Sequence, residues 1–115
     1  MQVVYIAGPF RANNSWAMEQ NIRRAEELAL LVWRIGCCAV ICPHTNTRFF
    51  QGAADDAIWL EGDLELLRRS DVVLMVPGWK ASQGATKEYE LARELKKPVF
   101  QQLSALRSYL LRRTY

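Results

Sequence analysis

Four short runs rich in β-branched and apolar residues, Val3–Ala7, Cys38–Cys42, Val72–Val76 and Pro98–Gln102, alternate with segments whose apolar residues recur at helical spacing. A parallel pair of strands needs a long crossover, usually a helix, so this alternation predicts a parallel sheet. The first intervening helix is expected from Ser15 to Ile35. It places Ile22, Ala25, Leu28, Ala29, Val32 and Ile35 on one side and stops at Gly36, a residue suited to a left-handed cap. Further helices are expected over Asp56–Arg69, Gly84–Lys96 and Ser104–Arg113, with Ser82 and Ser104 as N-caps. The fold class is therefore α/β, a doubly wound, flavodoxin-like or Rossmann-like parallel sheet of four to five strands with helices on both faces. The 115 residues suffice for one such domain, 1–115, with no linker or internal repeat.

No apolar run approaches the ~20 residues of a membrane span, and Met1–Tyr5 lacks a basic stretch ahead of an apolar one. A cytoplasmic protein without membrane contact is expected. Residues 1–103 carry twelve basic and twelve acidic side chains, so the excess of +3 is Arg107, Arg112 and Arg113. Nucleic-acid polymers call for a dense basic stripe on the folded body, so no such partner is expected. Cys37, Cys38 and Cys42 are odd in number and lack a C-x-x-C pair, which favours buried thiols over a disulfide framework or metal site. Strand alternation would turn Cys37 to the face opposite Cys38 and Cys42.

Pro9, Pro43 and Pro77 fall just past the ends of the first three strands. Ligands of open α/β sheets bind outside those ends, so the loops 8–14, 43–48 and 77–84 are the candidate site. Neither a phosphate-binding G-x-x-x-x-G-K-[ST] nor a dinucleotide G-x-G-x-x-G is present.

Plotting the acids at 100° per residue gives the sharpest signal. Between 56 and 69, Glu61 and Glu65 join Arg68 and Arg69 in a charged stripe, while Asp63 falls amid Trp59, Leu60, Leu64, Leu66 and Leu67. Between 84 and 96, Lys87, Glu90, Glu94 and Lys97 make the solvent stripe, while Glu88 falls among Ala85, Leu91, Ala92 and Leu95. A carboxylate turned toward a core is costly unless paired, hydrogen-bonded or lining a cavity. Each acid either satisfies backbone donors at a loop or joins the other in facing one ligand, as glycosyl chemistry requires.

Three stretches carry a family resemblance: Val4–Arg11 (VYIAGPFR), Gly62-Asp63-Leu64 ahead of Ser70–Val73, and Pro77-Gly78-Trp79 followed by Ser82–Glu88 (SQGATKE). The chain to about Gln102 resembles the nucleoside 2-deoxyribosyltransferase-like family, in particular a small branch found in phages and bacteria. The resemblance implies a cofactor-free enzyme that cleaves the N-glycosidic bond of a 2′-deoxynucleoside or its 5′-monophosphate, with hydrolysis favoured over base exchange. By position it implies Glu88 as the nucleophile at C1′, Asp63 as a proton-transfer or sugar-holding group, and Tyr5 as the residue that orients Glu88.

For substrate binding, Gly8 allows close approach of backbone, Arg11 pairs a 5′-phosphate or is a solvated surface residue, and Ser82 with the amides of Gly84 and Ala85 offers an anion a helix start. Pro9 stands where nucleotide-hydrolysing relatives have a serine, which removes one amide donor from that loop. Trp79 either stacks on a base or covers the sheet edge, and the resemblance implies base choice in the second loop, which holds His44, Thr45 and Asn46 and where a lone histidine reads as structural rather than catalytic. The family also implies a homodimer or higher oligomer, with Leu106, Tyr109 and Leu110 as interface or core. Two other readings use the same residues: a nucleotide-binding or sensing module that does not cleave its ligand, and a metal-dependent hydrolase using Asp63, Glu88 and His44, for which the sequence gives little support. No metal or cofactor is expected.

Overall fold

The strand signals fall where β-branched residues cluster. In the computed structural model, which describes residues 1–114, β1 is Gln2–Ala7, β2 Cys38–Ile41, β3 Val72–Met75 and β4 Val99–Phe100. All four pair in parallel in the order β2-β1-β3-β4. The chain steps from β1 outward to β2, then returns to the far side of β1 for β3. The winding thus reverses between β1 and β3, which makes their C-terminal ends the switch point of the sheet.

Helix α1 (Ser15–Trp33) is capped by Asn14, whose side chain accepts from the Ala17 amide at 2.8 Å. It ends two residues before the expected Ile35, and Gly36 then takes the left-handed conformation with φ +86°. Helix α3 (Asp56–Arg68), helix α4 (Gln83–Glu94) and helix α5 (Leu103–Thr114) follow the predicted segments closely. Ser82 caps α4 as expected, its Oγ accepting from the Ala85 amide. Ser104, in contrast, lies inside α5, because the helix begins one residue earlier and the Leu106 amide bonds to the Gln102 carbonyl.

Two stretches expected as plain loops contain helical turns. Pro43–Asn46 is a single turn, α2, with proline at its first position, where the missing N–H is no loss. Trp79–Ala81 is a 3-10 turn entered through Gly78 at φ +88°. The Leu95 position, expected to face inward, is 42% exposed because α4 has ended before it.

Side chains alternate across β1, so each sheet face receives its own layer. Val4 and Ile6 pack with Ala25, Ala29 and Val32 of α1 and Leu106 and Leu110 of α5. Tyr5 and Ala7 pack with Leu67 of α3 and Ala85 and Ala92 of α4. Helices thus cover both faces. Leu106 and Leu110 are core residues, with Tyr109 packed half-buried against them. Cys38 and Cys42 are buried in the α1/α5 layer, and Cys37 packs against that same layer because it precedes the strand, where alternation does not yet hold. Arg107, Arg112 and Arg113 lie on the outside of α5. Among the described residues no helix is long and apolar enough to cross a membrane.

Candidate active site

The strand alternation that sends Val4 and Ile6 to one layer aims Tyr5 at the other, under the start of α4. Tyr5 is fully buried, and its hydroxyl donates to Glu88 Oε2 in a short hydrogen bond. Glu88 follows the Ser82 cap by about a turn and a half of α4 and is itself 7% exposed. Asp63, half-buried on α3, borders the same cleft as Glu88.

Burial sets the protonation of this group. Removal from water pushes Glu88 up to about 8, the nearby charge of Asp63 adds to the rise, and the Tyr5 hydroxyl partly opposes it. Burial alone pushes Asp63 up to about 6. The Tyr5 phenol is held far above its ordinary range, first by burial and then by Glu88. At neutral pH the group therefore carries a proton that ordinary exposed acids would have lost, and a phenol that stays a donor.

The cleft has a volume of about 620 Å³ and opens outside the C-terminal ends of β1 and β3. Its acidic floor is Asp63 and Glu88; Ser82, Gly84 and Ala85 form one side, and Gly8, Phe10 and Arg11 another. Pro43 and His44 of α2 and Trp59 and Leu60 of α3 complete the wall. The fold therefore brings Gly8, Arg11, His44, Asp63, Ser82, Gly84, Ala85 and Glu88 of the sequence-stated candidates around one volume, with Tyr5 beneath it.

Several candidates take other positions. Trp79 lies outside the cleft wall: its ring stacks on Tyr89 at 4.6 Å and its Nε1 donates to Gln101 Oε1 at 3.2 Å, so it covers the sheet edge. Asn46 and Thr45 are exposed and do not border the cleft. The helical turn is the cause, since it puts Pro43, His44 and Thr47 on the inner side and turns residues 45 and 46 to solvent. Pro9 does not line the cleft but holds His44, whose Nε2 donates to the Pro9 carbonyl at 2.9 Å.

Arg11 forms an ion pair with Asp56 at the rim, both side chains 57% exposed. Its guanidinium thus has a carboxylate partner at the edge of the cleft that it lines. The need for glycine at position 8 is structural as well, because a Cβ there would stand 2.6 Å from Cβ and Cγ2 of Val76.

Sequence reasoning included Phe10 only as part of the loop 8–14 and passed over Asp56 and Trp59 as site residues; all three line the cleft. Trp59 was legible in principle. It precedes Asp63 by four residues and so shares its side of α3. Among the described residues no group of three or more His, Cys, Asp or Glu side chains is placed to hold a metal ion, so His44, Asp63 and Glu88 do not make a metal centre.

No curated protein matches this sequence. Among solved structures, a conserved protein from Enterococcus faecalis V583 superposes with a TM-score of 0.68 at 20% identity, over 86% of this chain and 61% of that one. This chain thus spans about three fifths of the length of that relative. A 2-deoxyribosyltransferase from the psychrotolerant bacterium Bacillus psychrosaccharolyticus superposes with a TM-score of 0.60, also at 20% identity, over 84% of this chain and 69% of its own. That enzyme is a biocatalyst for the industrial synthesis of nucleosides. At that identity the likeness establishes a shared fold. Residues 2–101 match the family model described as a domain of unknown function, DUF4406. That match runs from the first residue of β1 to just past β4, and the chain therefore belongs to the DUF4406 family and is built on the fold of the 2-deoxyribosyltransferases.

Proposed function

We propose that this protein cleaves the N-glycosidic bond of a 2′-deoxynucleoside or its 5′-monophosphate through a covalent glycosyl ester on Glu88, with water as the favoured acceptor. The observation that carries this reading is the buried Tyr5–Glu88 hydrogen bond at the floor of a cleft that Asp63 also borders. The shared fold with a 2-deoxyribosyltransferase supports it.

Burial holds a proton chiefly on Glu88. Positive charge developing at C1′ beside Glu88 favours its ionised form, and the Tyr5 hydroxyl stabilises and aims that carboxylate. The proton then resides on the Asp63 side. Glu88 attacks C1′ as the bond to the base breaks; the bonding pair leaves with the base nitrogen, which takes a proton from Asp63. In the second step water attacks C1′, the ester bond breaks, Glu88 is released and Asp63 accepts the water proton. Two displacements retain configuration, and no cofactor enters either step.

Each step needs one acid and one base, so kcat/KM should follow a bell centred between the values of about 6 and about 8 that burial gives Asp63 and Glu88. Assembly with a second copy of the chain is part of the same proposal and rests on the family resemblance, since the exposed apolar residues of α1, Trp16, Leu30, Leu31 and Trp33, are spread along and around the helix rather than gathered in one patch. A strictly monomeric species in sedimentation at micromolar concentration would contradict that part.

Chromatography of the protein with the four deoxynucleosides and their 5′-monophosphates, with and without a second base, tests the activity. Free base indicates hydrolysis and a new nucleoside indicates exchange. No released base from any of them overturns the proposal.

A further inference from the structure

Among the described residues, two buried side-chain polar atoms have no hydrogen-bond partner: His44 Nδ1 and Trp59 Nε1. Both residues line the cleft, one from α2 and the other from α3. Buried polar groups are ordinarily satisfied, and a pair left open on one cavity wall marks a place kept for a partner.

The chemistry of each atom is fixed. His44 is 5% exposed, and its Nε2 lies 2.9 Å from the Pro9 carbonyl, which can only accept; Nε2 therefore carries the proton. Burial lowers the affinity of the ring for a second proton, the carbonyls of Pro9 and Gly8 partly opposing it, and with the proton on Nε2 the Nδ1 is the nitrogen left with a lone pair. The indole nitrogen of Trp59 is a donor only. The wall thus presents one unmet acceptor and one unmet donor. Phe50, tilted against Trp59 at 5.8 Å, and Gln51 at the cleft edge are both exposed. Contact with the indole N–H requires side chains beside it to turn, and Phe50, whose ring packs on Trp59, is exposed.

We infer that Trp59 and His44 read the heterocycle of the ligand: Trp59 Nε1–H donates to a ring nitrogen or carbonyl oxygen, and His44 Nδ1 accepts from an amino or ring N–H group. This deepens the proposed function by assigning the recognition of the base to these two residues, and it rests on that reading for the nucleoside class of ligand.

The test measures affinities of the four 2′-deoxynucleosides and their 5′-monophosphates for the wild-type protein, Trp59→Phe and His44→Gln. Trp59→Phe keeps an aromatic ring and deletes the donor; His44→Gln keeps an N–H donor for the Pro9 carbonyl but removes the Nδ1 lone pair, its only remaining acceptor being the amide Oε1 one bond further along the side chain. Loss of a ligand hydrogen bond should weaken the tightest-bound probe about tenfold in either variant and narrow the spread among bases, with the loss in turnover falling on KM more than on kcat. Unchanged affinities in the same order overturn the inference. Should one variant fail to fold, the other decides alone. A wild-type protein that binds but does not cleave, and whose selectivity falls in the variants, removes the glycosyl chemistry and leaves the recognition standing; one that binds none of the eight probes overturns both.

Discussion

The two faces of strand β1 differ by one residue of register and by their whole chemistry. Val4 and Ile6 enter a layer closed by α1 and α5 whose core is a cluster of apolar and thiol side chains. Tyr5, between them, enters the α3/α4 layer and reaches a buried carboxylate. The first layer is a packed core, in which volume decides the outcome of a substitution. The second gives up part of its packing to hold Glu88 and Asp63 beside a cleft, at the cost of burying acids that would ionise freely in water. Substitutions on one face should therefore change stability and spare chemistry, while conservative changes on the other should do the reverse.

The largest expected effect is on the polar face. Glu88→Gln should lower turnover by about 10³-fold or more, as removal of a nucleophile does, with the circular dichroism spectrum unchanged. Near-normal turnover would remove Glu88 from the mechanism. On the apolar face, Ile6→Ala deletes a fully buried side chain and should cost about 3 kcal/mol in denaturant unfolding, with kcat altered little where the protein remains folded. At the junction of the two, Gly8→Ala forces a Cβ against Val76 and should cost about 1–3 kcal/mol, readable as a lowered melting temperature.

Protonation gives a further contrast. Glu88 has a folded value of about 8 against an ordinary 4.5, so the folded protein binds this proton more tightly than the unfolded chain. Its stabilising contribution is full below about 4.5 and is lost as pH rises through about 8; Asp63 acts in the same sense between 3.8 and about 6. Stability should thus fall from pH 5 to 9, and Glu88→Gln should flatten that fall and melt higher than the wild type at the alkaline end. An equal slope in both proteins would show that Glu88 is not held protonated. The smallest effect is expected at the rim: Arg11→Ala breaks an ion pair between two largely exposed side chains and should shift stability by less than about 0.5 kcal/mol.

Much of this contrast was legible in the sequence because both periodicities are strong. The alternation of β1 and the helical spacing of α1 place the layers, and plotting α3 and α4 at 100° per residue singles out Asp63 and Glu88 among twelve acids. What remained hidden depends on contacts between distant segments. Trp79 reads equally as a stacking ring or a cover until Tyr89 and Gln101 are seen to hold it. Asn46 looked directed at the ligand because a four-residue helical turn leaves almost no periodic signal, yet that turn decides which of residues 43–47 face inward. Arg11 gives no sign of its partner Asp56, 45 positions away.

The most direct test of the mechanism is to quench the reaction with a cleavable deoxynucleoside early in turnover and map the digested protein by mass spectrometry. The expected result is a deoxyribosyl group on the peptide that contains Glu88, absent from Glu88→Gln, with products of retained anomeric configuration. Turnover without a protein adduct, together with inverted product, would contradict the covalent role of Glu88.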